Sequence, residues 1–147
     1  MSDLDLLAKS YGMLFLRLHR LLDRRMAASG ASLARTKLLM CLEKQGPMRA
    51  ADIAELLGMA PRSVTEALDN LERDGLLMRS PDAKDRRVKR ITITDRGRQA
   101  IAATEPLRLD LVDTVFGSLD ADQRASLATI IATLDATVDE IEGADRT

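Results

Sequence analysis

Apolar positions change their rhythm along this chain, and the changes divide it into helices and one hairpin. Between Leu6 and Met26, Leu7, Tyr11, Leu14, Leu18 and Leu21 recur at helical spacing, while Leu6, Met13, Phe15, Leu16 and Leu22 occupy much of the remaining circumference. A helix apolar on so many sides needs cover on more than one of them, and in a short chain a second copy is a natural cover. Gly30 breaks the pattern, Ser32 supplies a cap, and Leu38, Leu39, Cys41 and Leu42 carry a second helix to the stop KQGPM at Lys44 to Met48. Ala50 to Leu57 reads as a short helix closed by Gly58. Pro61 opens another that runs to about Asp74 and ends at Gly75.

Beyond Gly75 the period becomes two. LLMRS is a short apolar strand, Ser80 to Arg87 a polar loop, and VKRITIT alternates Ile91 and Ile93 with Thr92 and Thr94, which together predict a β-hairpin with a long charged tip. Thr94 or Asp95 caps a long helix through Ala100 and Leu107 to Phe116, with Gly97 and Pro106 as its weak points. GSLD is a break and Asp120 a cap. In the last helix Leu127, Ile131, Leu134, Val138 and Ile141 step by four, three, four and three, the narrow seam of a helix packed on a partner helix. The expected fold is therefore mostly α with one small β-hairpin, in a single domain spanning 1–147.

Composition agrees and narrows the function. With 46% apolar, 31% charged and only 2% aromatic residues, the chain is globular and suited to a helical core of Leu, Ala, Ile and Met. Cys41 is alone, so no internal disulfide forms and the usual zinc spacings are missing. One His, one Cys, no Gly-rich phosphate loop and no GxSxG turn argue against an enzyme, and no cofactor is expected. The start MSDLDLLAKS lacks the basic-then-apolar pattern of a leader, and no apolar run approaches membrane-spanning length. A cytoplasmic location with no membrane partner is the expectation.

Charge is unevenly spread although the net is -1. Arg79 to Arg98 holds eight bases and three acids, whereas Glu105 to Thr147 holds three bases and ten acids, so the first stretch suits a polyanion and the second repels one. The excess peaks in PDAKDRRVKR, where Lys84, Arg86, Arg87, Lys89 and Arg90 outnumber Asp82 and Asp85.

That basic hairpin follows a helix pair. Ala51 to Gly75 places two helices around a tight turn at Gly58, with Ile53, Leu57, Val64 and Leu68 as the shared interior and Ala54 small enough for close approach. Two short helices around a glycine also occur as plain core packing, but a basic hairpin directly afterwards makes a winged helix-turn-helix. Arg62, Ser63, Thr65, Glu66, Asp69 and Arg73 leave the second helix a free polar face of the kind that enters a major groove. Ala60 stands where a capping hydroxyl is usual, and Ser63 is expected to supply one instead. Glu66 and Asp69 either read cytosine amino groups or are solvated or paired with Arg62 and Arg73.

The run LGMAPRSVTEALDNLERDGLL followed by DRRVKRITITDRG resembles the MarR family of winged-helix transcriptional regulators. The resemblance implies a winged region over 32–96 between dimerisation helices at 6–28 and 98–142, and a homodimer on an inverted-repeat operator in double-stranded DNA, acting as a repressor released by a small, often phenolic ligand. It also implies that Arg87 enters a minor groove with Asp85 holding its guanidinium, which suits a narrow, electronegative groove. The DNA-contacting set is then Arg49, Arg62, Ser63, Thr65, Glu66, Arg73, Arg79, Lys84, Asp85, Arg86, Arg87 and Lys89. Tyr11, Phe15, His19 and Cys41 are the candidates for an effector pocket, against core packing for the two rings, a surface role for His19 and a small buried hydrophobe for Cys41. The competing reading is a winged-helix module whose basic face meets an acidic protein.

Overall fold

The computed structural model describes residues 2–146. It runs α1 (Asp3–Ala28), α2 (Leu33–Gln45), α3 (Ala50–Leu57), α4 (Pro61–Arg73), β1 (Leu77–Pro81), β2 (Lys89–Ile93), α5 (Asp95–Phe116) and α6 (Ala121–Asp145). The predicted elements are all present, and Pro106 lies inside an uninterrupted α5. The hydroxyls of Ser2 and Ser32 accept from the backbone N–H groups of Asp5 and Arg35, capping α1 and α2. Asp120 and Gln123 form a reciprocal capping box at α6, at 2.8 and 3.0 Å.

The chain divides into two compact units at Arg108. In the first, Leu38, Leu39 and Leu42 of α2, Ile53 and Ala54 of α3, and Val64, Leu68 and Leu71 of α4 form one buried cluster with Leu77, Ile91 and Ile93 of the hairpin. The inward faces of three helices and two strands therefore share a single core. Gly58 supplies the left-handed residue, at φ 61°, that ends α3 and lets α4 begin three residues later.

The hairpin is antiparallel with Leu77 opposite Ile93 and Pro81 opposite Lys89, so β1 takes Ser80 and Pro81 from the polar loop expected to start at Ser80. Met48 adds a bridge that the sequence did not announce, exchanging backbone hydrogen bonds of 3.1 and 2.7 Å with Ile91 and fastening the segment after α2 to the wing. Thr94 joins the hairpin to the next helix. Its hydroxyl donates to the Gly75 carbonyl at 2.7 Å and accepts from the Gly97 N–H at 3.1 Å, capping α5 while tying it to the end of α4.

The second unit comprises the end of α5 and α6. Along α6, Ile130, Ile131, Leu134, Val138 and Ile141 remain about half exposed. No helix among the described residues is long and apolar enough to cross a membrane.

Candidate nucleic-acid interface

α4 begins with Ala60 in extended backbone and Pro61 at its first helical position, with no side chain capping the free N–H groups. Ser63 does not supply the cap expected of it. It is already inside the helical turn, where its backbone N–H is one of the groups to be capped, and Thr65 turns its hydroxyl back to the Pro61 carbonyl at 3.0 Å. The first turns of α4 thus present Arg62, Ser63, Thr65 and Glu66 to solvent with open N–H groups beside them, an arrangement that favours an anion. Arg62 is 92% exposed and lies 3.5 Å from Glu66, so Glu66 takes the paired alternative.

The wing carries its charge outward. Arg87 is 94% exposed at the tip, 3.5 Å from Asp85, whose carboxylate also accepts the Arg87 backbone N–H at 3.0 Å. One acid therefore fixes both the turn and the approach of the guanidinium. Asp82 performs the same service nearby, accepting from the Lys84 N–H at 3.2 Å and from Arg90 at 3.3 Å. Arg86 and Lys89 project freely into solvent.

Arg79 is different from its neighbours in the basic stretch. Its guanidinium, only 22% exposed, bridges Asp69 at 2.8 Å and Glu72 at 2.9 Å, and Glu72 also accepts its backbone N–H at 3.0 Å. Asp69 therefore pairs with Arg79 of β1 rather than with Arg73 of its own helix, because the strand delivers a guanidinium against that face of α4. Arg79 locks wing to helix and has little left to offer a ligand. Arg73 stands at the far end of α4 from Arg62 and lines a recess with Arg35, Asp74 and Arg96. Arg49 precedes α3 and holds Asp52 through Nε at 3.1 Å, and this hydrogen bond keeps the Asp52 carboxyl below its ordinary range while raising the guanidinium above its own.

Of the four residues expected around an effector, three share a stripe of α1 and Cys41 stands on α2. Tyr11, Phe15 and His19 form a ladder along α1 with ring centroids 6.4 and 4.0 Å apart, and the His19 ring nitrogen Nδ1 lies 2.9 Å from the Phe15 carbonyl. Core packing of Tyr11 and Phe15 is not what the chain does: they are 63% and 47% exposed, because nothing else in the first unit covers that side of α1. Cys41 is buried on α2 with its sulfur 3.7 Å from that of Met48, and burial pushes its thiol pKa up. It is a small apolar residue here. His19 lines a cavity of about 490 Å³ with Leu16, Arg20, Asp23, Leu33, Lys37, Leu57 and Met59 among its other walls. Arg20 and Lys37, absent from the sequence reading, could have been noticed only by knowing that α1 and α2 adjoin.

Helix pair and fastened wing define a winged helix-turn-helix protein. The MarR family model matches residues 32–89, from the cap of α2 to the start of β2. The HTH-type transcriptional regulator YwhA of Bacillus subtilis (strain 168), itself uncharacterized, is 29% identical over 120 residues, 82% of this chain and 86% of YwhA. The HTH-type transcriptional repressor MdtR of the same organism is 34% identical over 97 residues, 66% of this chain and 61% of MdtR. A solved structure of a MarR variant from E. coli complexed with operator DNA has the same fold, with a TM-score of 0.75 at 22% identity over 87% of this chain and 92% of that one. The chain is thus similar to members of the MarR family over its winged helix-turn-helix.

Proposed function

We propose that the protein is a homodimeric, sequence-specific DNA-binding regulator that represses transcription from inverted-repeat operators. The observation that carries this is the pairing of an outward wing arginine, Arg87, pre-set by Asp85, with an exposed and uncapped start of α4 in the same compact unit. Arg62, Ser63, Thr65 and Glu66 would enter a major groove, with phosphates meeting the free N–H groups of the first turn, while Arg87 occupies the flanking minor groove. Lys84, Arg86, Lys89 and Arg49 would add backbone contacts that are strong, indifferent to sequence and sensitive to salt. Repression is the named role of the relative MdtR, and the solved E. coli relative is bound to operator DNA.

The apolar flank of α1 and the seam of α6 supply the faces for a second copy, and two copies then read half-sites about 10 bp apart, one helical turn. Release would come from a small aromatic acid in the His19 cavity. Leu16, Leu33, Leu57 and Met59 offer it apolar walls, and Arg20 and Lys37, against the single acid Asp23, offer its carboxylate or phenolate a basic end. Such a ligand, touching both α1 and the helix-turn-helix, needs a preference of only about 1–3 kcal/mol between two placements of the winged unit to change operator affinity roughly 5- to 150-fold.

The test is selection of bound fragments from genomic DNA at stated, near-physiological salt. A recovered inverted repeat bound far more tightly than its scrambled version supports the reading; equal affinity for both would overturn it.

A further inference from the structure

A second cavity, of about 460 Å³, opens where the start of α2, the end of α4 and the start of α5 come together within the first unit. Three guanidinium groups line it, those of Arg35, Arg73 and Arg96, against one carboxylate, Asp74. Asp74 is already engaged, since Arg35 donates to it in a close ion pair. Arg73 and Arg96 have no hydrogen-bond or ion-pair partner among the described residues.

The contrast with neighbouring arginines is sharp. Arg98, two residues after Arg96, is held by Glu43 at 3.0 Å and by Asp95 at 2.9 Å, and Arg79 is held by two acids of α4. The Arg96 guanidinium instead lies over the Gly75 turn, where a Cβ added to Gly75 would stand 3.7 Å from its nitrogen. Two unneutralised cations therefore border one polar recess, carried there by different helices.

We propose that this recess is a binding site for a small phosphorylated molecule, gripped by Arg73 and Arg96 through its phosphoryl group. A planar guanidinium presents paired N–H donors that match phosphate oxygens bidentately, and a dianion balances the two free charges. The volume admits a metabolite-sized body around that group. The recess lies at the opposite end of α4 from Arg62: Arg73 is eleven residues beyond it, about 16 Å along the helix axis. An occupant would bind the end of the helix that carries Arg62 to α2 and α5, and the site stands whether or not the protein reads an operator.

Isothermal titration of the full chain with inorganic phosphate and with sulfate, against nitrate as a monovalent control, tests this directly. Saturable binding of both dianions at least tenfold tighter than nitrate is expected, with tenfold or greater weakening in Arg73→Gln and in Arg96→Gln. Ala31→Glu, which adds a carboxylate at the rim without removing an arginine, should weaken binding similarly, and covers the case in which an arginine variant fails to fold. Melting curves without ligand verify that each variant is native. Absence of saturable binding by the native protein, unchanged affinity in the folded variants, or an equal loss in Arg87→Gln, which would assign the ion to the DNA-facing surface, overturns the proposal.

Discussion

Two residues of the wing show how a loop becomes an instrument. Asp85 accepts the Arg87 backbone N–H and stands 3.5 Å from its guanidinium, so the arginine is restrained before it meets a ligand and loses less entropy on binding. Arg87→Ala is expected to weaken operator binding by ~1–3 kcal/mol and to lower the slope of log affinity against log salt by about one phosphate contact. Asp85→Asn, which keeps the shape but not the charge, should weaken binding less; a titration at three salt concentrations separates the two effects. Cys41 makes the opposite case, a residue whose chemistry is suppressed by its surroundings. Burial beside Met48 raises its thiol pKa, and since only the thiolate attacks, the native protein should react with a disulfide reagent many times more slowly than the urea-unfolded chain. Equal rates in the two states would show that the sulfur is exposed and reactive in the native protein.

Elements held by local signals were legible in the sequence, and those held by distant partners were not. Ser32, Gly58, Pro61 and Asp120 set helix ends through interactions within a few residues, so α2, α3, α4 and α6 could be read from spacing alone. The bridge from Met48 to Ile91 spans 43 positions, and KQGPM looked only like a stop. Arg79 was indistinguishable from the other bases of its stretch, because nothing local announces that β1 delivers it to Asp69 and Glu72. The same limit hid the cavity cations Arg20 and Lys37. Gly97 illustrates how tightly the wing and α5 are joined: it was read as a weak point of a helix, yet it is buried where α5 starts against the hairpin. A Cβ there would overlap the Leu76 carbonyl oxygen and lie 2.7 Å from Ile93, and the backbone it strikes has little freedom to move. Gly97→Ala should therefore destabilise by ~1–3 kcal/mol despite its better helix propensity, an overpacking cost read as a lower urea midpoint at unchanged slope. A stabilised variant would mean that α5 stands farther from β1 than the structure has it.

At the scale of the molecule, the question is what covers the apolar faces of α1 and α6. Leu4, Leu7, Tyr11 and Leu14 on one helix and Ile131, Leu134, Val138 and Ile141 on the other are each about half exposed or more, far beyond the scattered apolar residues of an ordinary surface. Cover by a second copy, as proposed, would give each operator two winged units, the second binding at an effective concentration in the millimolar range instead of from dilute solution. Leu134→Glu with Ile141→Glu places charge in the α6 seam and leaves the core of the first unit untouched, since neither residue belongs to it. The double variant is expected to sediment as a monomer, to keep its helical content, and to bind the full operator 10²- to 10⁴-fold more weakly, the factor ordinarily lost when two linked sites act singly. Its affinity for an isolated half-site should match that of the unaltered chain. A monomeric native protein, or a monomeric variant that grips the full operator as tightly as the native one, would show instead that a single wing and recognition helix suffice, and that those apolar faces serve a different partner.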